Sequence, residues 1–419
     1  MAPLLPARHQ LLASGNKLTR AARSTRKAKT EKITRGHMPL AILIAGGVSA
    51  SLFFFNDIFR AQSLIGLLAI AGFIASITVK KIHWSVALFF MYFSLVSLRI
   101  TFFPQSFWIG VDIATMTGLQ SLVTEAYLYL SLILVSFLFI KKEHVGILKN
   151  TMILLGIIDA NVILVKYFWN MPWFLFNNPA FDAAFLSCTL PLILSFALKL
   201  KIYPIKTRRV IQVWLIGLPI GLCIASKSSS GIGGPAIALG VYFLMACRLP
   251  IKVKVFAFAT SSFCLGLIGL AMQGEQFFHS NGRSHVWKLA FDFWFSKADK
   301  LFGTGPGTFL MYGPGLQINE AVQTGVTEIA GFIWMHSTQL QVLFETGYIG
   351  LGLSLLVYGM ALWKSKKSPE YFSALLTLFL LSFIQMAERH FIFAYFGAYL
   401  IFEAFTSTPK EIPKKAGEA

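Results

Sequence analysis

Stretches of roughly 20 apolar residues recur along the chain, and that length is what a helix needs to cross a bilayer. They fall near 38–56, 61–79, 84–103, 119–140, 145–167, 181–199, 210–226, 231–248, 253–272, 338–363, 371–387 and 390–406. This predicts an all-α, polytopic membrane protein of about 12 transmembrane helices, since lipid demands that each span satisfy its own backbone. With 56% hydrophobic and 13% charged residues, the chain lacks the polar surface of a soluble globule of this size. The expected organisation is a basic cytoplasmic tail at 1–37, a transmembrane domain at 38–406 and a short cytoplasmic tail at 407–419. A large loop at 273–337 interrupts the transmembrane domain.

A net charge of +19 could suggest a nucleic-acid partner, but its distribution argues otherwise. Lys and Arg number nine in 1–37, two at 80–81, three at 141–149, five at 199–209, and three each at 248–254, 364–367 and 410–415. These clusters fall in every second connection, as the positive-inside rule requires. Both termini are therefore expected in the cytoplasm of a multi-pass inner-membrane protein, with membrane lipids as partners and no nucleic acid. The basic run at 1–37 is too long for a signal peptide, and attraction to anionic lipid suits it. Cys188, Cys223, Cys247 and Cys264 all sit in apolar stretches without CxxC spacing, which makes them small core residues.

The opposite connections are short except 273–337, and long loops on rigid scaffolds are where function concentrates. Within it, 284–302 reads as an amphipathic surface helix with His285, Lys288, Asp292 and Asp299 at helical spacing. The following GTGPGTFLMYGPG at 303–315 reads as a mobile or tightly turned segment, a candidate lid. Asn177 and Asn178 with Asp182 suit a helix-capping turn, or contacts to sugar hydroxyls. No paired-carboxylate motif, HExxH or Cys/His cluster occurs on that side, so neither a metal nor another cofactor is expected.

His336 is expected to open the helix that follows the loop. A helix N-terminus disfavours imidazolium, so a neutral His there could take a proton; its amides also favour a nearby anion. An interfacial His capping its helix is the alternative. Gly347 lies eleven residues on, within about 20° of the same helical face, and Gly350 follows. Both would let a neighbouring helix approach closely.

His336-Ser337, nine residues, Gly347, two residues and Gly350 resemble the signature of the bacterial O-antigen ligase family, within the O-antigen ligase/polymerase superfamily. Helix number, cytoplasmic termini and one dominant late loop are similar too. The resemblance implies a GT-C-type glycosyltransferase whose large periplasmic loop contains short helices. It implies transfer of a glycan from undecaprenyl pyrophosphate to lipid A–core, with His336 as base. Arg283, a few residues before Trp287, is similar to the family's loop Arg. Lys227, in Ser226-Lys227-Ser228, stands where relatives carry Arg, and so loses the bidentate fork for phosphate. Arg389 and Arg99 are further candidates for binding an anionic substrate, the alternative being snorkelling or pairing with Glu388 or Asp57.

An O-antigen polymerase would use the same donor, but such enzymes carry two sizeable outer loops and 168–180 is short. A protein-glycosylating ligase and a non-catalytic assembly scaffold are further alternatives. A transporter or flippase would show repeated halves and midplane charges. Here Asp159 and Glu125 are the acidic residues read within the spans before the large loop.

Overall fold

The computed structural model describes residues 84–102, 142–168, 179–200, 202–226, 228–247, 283–305, 335–384 and 391–406, with isolated positions at 250, 252–253, 256, 259–260 and 309. They form α1 (Trp84–Phe102), α2 (Lys142–Phe168), α3 (Pro179–Leu198), α4 (Ile205–Ala225), α5 (Ser229–Ala246), α6 (Arg283–Lys297), α7 (Thr338–Ser365), α8 (Pro369–Leu381) and α9 (Phe391–Thr406). No strand occurs among the described residues. Gly146–Lys166, Pro179–Leu198, Ile205–Ala225 and Thr338–Ser365 are long and apolar enough to cross a membrane. The spans expected at 38–56, 61–79 and 119–140, and most of 253–272, lie outside the described residues.

Three boundaries differ from expectation. α4 begins at Ile205, which brings Lys206, Arg208 and Arg209 into its first turns. α6 stops at Lys297, where Asp299 turns the chain by accepting hydrogen bonds from the amides of Leu301 (3.0 Å) and Phe302 (3.2 Å). α8 ends at Leu381, because the Ser382 carbonyl is taken by the amide of Thr338 at 2.8 Å.

Contacts at the two ends fix how the helices run. Near the start of α2, Lys149 Nζ lies 3.4 Å from Glu370 Oε1 at the start of α8. Lys199, just past the end of α3, lies 3.9 Å from the same oxygen. At the other end, Ser230 donates to the Ala180 carbonyl (3.1 Å), joining the starts of α5 and α3. The Ser382 junction joins the end of α8 to the start of α7 there as well. α2 to α5 therefore alternate in direction, and α8 runs against α7, as helices joined by short connections do.

α3 is the hub, packed by α2, α4, α5 and α8. It is buried along most of its length, whereas α4 is mostly exposed and presents Val210 and Val213 outward. Among lipid tails, apolar burial gives little drive, so close packing and internal hydrogen bonds hold such helices. Gly156 of α2 supplies the first: a Cβ there would meet Thr189 Oγ1 at 2.7 Å and Ile193 Cδ1 at 3.1 Å. The buried hydroxyls of α3 bond back one turn, Ser187 to Ala183 O (2.6 Å) and Thr189 to Phe185 O (3.0 Å). Ser373 of α8 donates across to Ala238 O of α5 at 2.5 Å.

Candidate functional site

His336 does not open α7; it stands just before the N-cap, Ser337. Its φ of 53° is left-handed, which for a residue bearing a Cβ costs about 1–2 kcal/mol. Its neighbours hold that conformation on both sides. On one, the Trp287 indole of α6 donates to the Met335 carbonyl at 2.5 Å. On the other, Ser337 Oγ accepts from the amide of Leu340 (3.2 Å) and donates to Ser382 O (3.4 Å). Strain stored between two anchors is a common mark of a functional position.

The expectation that the α7 amides would favour an anion needs correction. Thr338 N and Gln339 N donate to Ser382 O at 2.8 and 3.4 Å, Leu340 N to Ser337 Oγ, and Gln341 N to Ser337 O at 3.0 Å. The protein has used the donors that an anion would take, leaving only the helix dipole. A side-chain link strengthens this junction, Gln339 Nε2 donating to Ser382 Oγ at 2.9 Å.

α6 exposes Lys288 and Asp292 as expected, yet it is not simply laid on a surface. Val286, Ala290 and Trp294 form a buried stripe against Met335, Phe309, Leu343 and Phe344. Phe293 stacks on Phe344 at 6.1 Å, and Trp294 meets Tyr348 edge-on at 5.1 Å. Arg283 opens this helix one turn ahead of Trp287.

Gly347 was expected to admit a neighbouring helix. Instead it breaks α7, with φ 69° and ψ −169°. That backbone is open essentially to glycine alone, and a Cβ there would fall on the Leu301 carbonyl. The break releases carbonyls and amides that 300–305 then satisfies. Thr304 N donates to Phe344 O (3.0 Å) and Gly305 N to Glu345 O (2.7 Å). Tyr348 N donates to Lys300 O (2.9 Å) and Ile349 N to Leu301 O (3.3 Å). Tyr92 of α1 locks the joint, its hydroxyl bonded to Thr346 O (2.5 Å) and Leu301 O (3.2 Å). Gly303–Gly305, the start of the expected lid, is thus a docked clip, and Phe309 beyond it is fully buried. Gly350 does serve helix approach: a Cβ there would come within 3.0 Å of Tyr92 Cε1.

Sequence reasoning missed the Glu345 carboxylate, buried beneath the clip. Its Oε1 accepts from Gln341 Nε2 at 2.9 Å and from Phe309 N at 3.3 Å. A Glu one turn after a Gln inside an apolar helix was the available signal.

Lys227 and Arg389 lie outside the described residues, as do the side chains of Arg99, Arg283 and His285. The serines flanking Lys227 form a hydroxyl ladder, Ser226 Oγ to Ser228 Oγ at 2.8 Å and Ser228 Oγ to Ser230 Oγ at 3.1 Å. Through Ser230 and Ala180 this turn belongs to the same end of the bundle as His336. A partly exposed, clamped imidazole at the end of an apolar bundle can accept a proton from a hydroxyl presented there. The chain matches no known family model and no curated protein.

Proposed function

We propose that the chain is an O-antigen ligase of the GT-C type. It transfers a glycan from undecaprenyl pyrophosphate to a sugar hydroxyl of lipid A–core at the periplasmic face of the bacterial inner membrane. The observation that carries this reading is the clamped, left-handed His336 at the bundle end that also holds the Ser226–Ser228 turn.

His336 takes the proton of the acceptor hydroxyl, whose oxygen attacks the anomeric carbon as the bond to pyrophosphate breaks, with inversion. Arg283 and Lys227, with Arg389 and Arg99, bind the pyrophosphate and stabilise the charge that develops on it. Pyrophosphate is already a good leaving group, so neither metal nor nucleotide is required. Twelve spans, with both termini cytoplasmic, complete the proposed topology.

The test is a lipopolysaccharide ladder from a ligase-null strain complemented with wild type or His336→Ala at equal membrane level. Wild type should restore capped lipopolysaccharide, while the variant should leave lipid-linked glycan. If wild type restores nothing there but lengthens single repeats in a polymerase-null strain, the chain is a polymerase. An active His336→Ala would remove the base.

A further inference from the structure

α4 turns one face away from the bundle. Leu222 and Cys223 pack it on α2 and α3, against Ala160, Ile163, Ala183 and Leu186. On the other side Lys206, Val210, Val213 and Gly217 recur at helical spacing, and all four are exposed. A groove of about 490 Å³ runs along that side, lined by Arg209, Val210, Val213, Trp214, Gly217 and Leu218. Its walls are apolar, Arg209 lending its aliphatic stem. One wall is fixed in place: Trp214 Nε1 donates to Asn161 Oδ1 of α2 at 3.2 Å, and Asn161 Nδ2 to Ile157 O at 2.7 Å. The polar atom of the indole is thus satisfied within the protein, and the rest of the ring is left for apolar contact. Gly217 keeps the groove open, since a Cβ there would meet only Val213 Cγ1, at 4.0 Å.

Charge gathers at one end of this groove. Lys206 and Arg209 are exposed one turn apart, with Arg208 beside them, and none of the three is ion-paired among the described residues. This is the end of the bundle that holds Lys199 and Glu370, opposite His336. From Arg209 to Leu218 the groove runs about 14 Å along the helix axis, against roughly 15 Å for one leaflet, half of the ~30 Å hydrocarbon core. It therefore matches one acyl chain in one leaflet, with cations where a phosphate ester would lie. A soluble anion would leave the apolar walls unused, and an uncharged lipid would leave the cations unused.

We propose that this groove is a binding site for an anionic glycerophospholipid. One acyl chain lies along Val210, Val213 and Gly217 against the Trp214 ring, and the phosphate meets Lys206 and Arg209. Each cation favours anionic over neutral lipid about fivefold. The site lies at the other end of the bundle from His336 and does not depend on the transfer reaction.

Fluorescence quenching of the full chain in phosphatidylcholine bilayers tests it. A minor share of phosphatidylglycerol brominated in its acyl chains should quench more than the same share of brominated phosphatidylcholine. The excess should vanish in Trp214→Phe. The share of phosphatidylglycerol that gives half the excess should rise about fivefold in Lys206→Gln and likewise in Arg209→Gln. Gly217→Leu fills the groove but leaves the charges in place, and it should abolish the excess too. Equal quenching by the two lipids marks ordinary boundary lipid and overturns the proposal. An excess that survives Gly217→Leu is surface attraction alone and overturns it equally. Disulfide formation between copies of Val213→Cys, absent from wild type, would give the groove to a second copy and also overturn it. Should Trp214→Phe fail to fold, native mass spectrometry of wild type and Gly217→Leu released from mixed bilayers decides. Phosphatidylglycerol retained by wild type and lost from Gly217→Leu supports the site, while equal retention, or none, refutes it.

Discussion

Replacing Gly347 by Ala probes the joint between the 300–305 clip and the break in α7. The new Cβ meets the Leu301 carbonyl, and the backbone must hold φ 69° with ψ −169°. Strain of that kind costs about 1 kcal/mol at the low end. Displacing the clip also weakens four main-chain hydrogen bonds, at about 0.5 kcal/mol each on the low side. Together these give a loss of about 3 kcal/mol, or roughly a hundredfold rise in the undocked fraction. Lys300 sits within the clip, so tryptic cleavage after it in detergent-solubilised protein reports undocking. Its rate should rise about a hundredfold wherever opening is fast relative to cleavage. Gly303→Ala should act alike, since its Cβ would lie 2.5 Å from the Glu345 carbonyl carbon at φ 70°. The double variant should be little worse than the poorer single one, because both changes break the same joint. Gly352→Ala is the control, its Cβ meeting nothing within 4 Å. A Gly347→Ala protein cleaved after Lys300 no faster than Gly352→Ala would refute the docking argument.

The left-handed φ of His336 separates chemistry from strain: His336→Gly and His336→Ala should both lose transfer, with the Gly variant more stable by about 1 kcal/mol in thermal unfolding. Trp287→Phe keeps a ring on α6 but drops the donor to Met335 O; transfer should slow about tenfold, equivalent to ~1.4 kcal/mol, with little change in Tm. Ser337→Ala removes the α7 cap and should cost about 1 kcal/mol of stability, measured by thermal unfolding in detergent.

The described spans were legible because apolar runs of this length have one solution in lipid, and their ends were missed by only a few residues. His336-Ser337 likewise announced a helix start, since Ser is a strong N-cap. Gly347 was misjudged for a nonlocal reason. In an apolar helix a glycine reads the same whether it serves a close approach or a positive φ, and what decides is Leu301, far upstream in the chain. The same holds for Gly303–Gly305, whose composition suggests mobility while its partners sit in α7. The buried face of α6 was readable from Val286, Ala290 and Trp294 at four-residue spacing, but the charged residues drew the reading outward. The junction at Ser382 leaves no local trace at all, because it is made by a main-chain carbonyl.

The shared carboxylate of Glu370 bears on the order in which the bundle is completed. It lies 221 residues beyond Lys149, so during synthesis both Lys149 and Lys199 emerge long before it does. Until α8 arrives, the base of α2 and α3 carries two ammonium groups without this counter-charge. Lys149 is the better buried of the two, so it is the one that gains most from the carboxylate when α8 docks. One carboxylate thus ties three elements together, α8 to α2 through Lys149 and α8 to the end of α3 through Lys199.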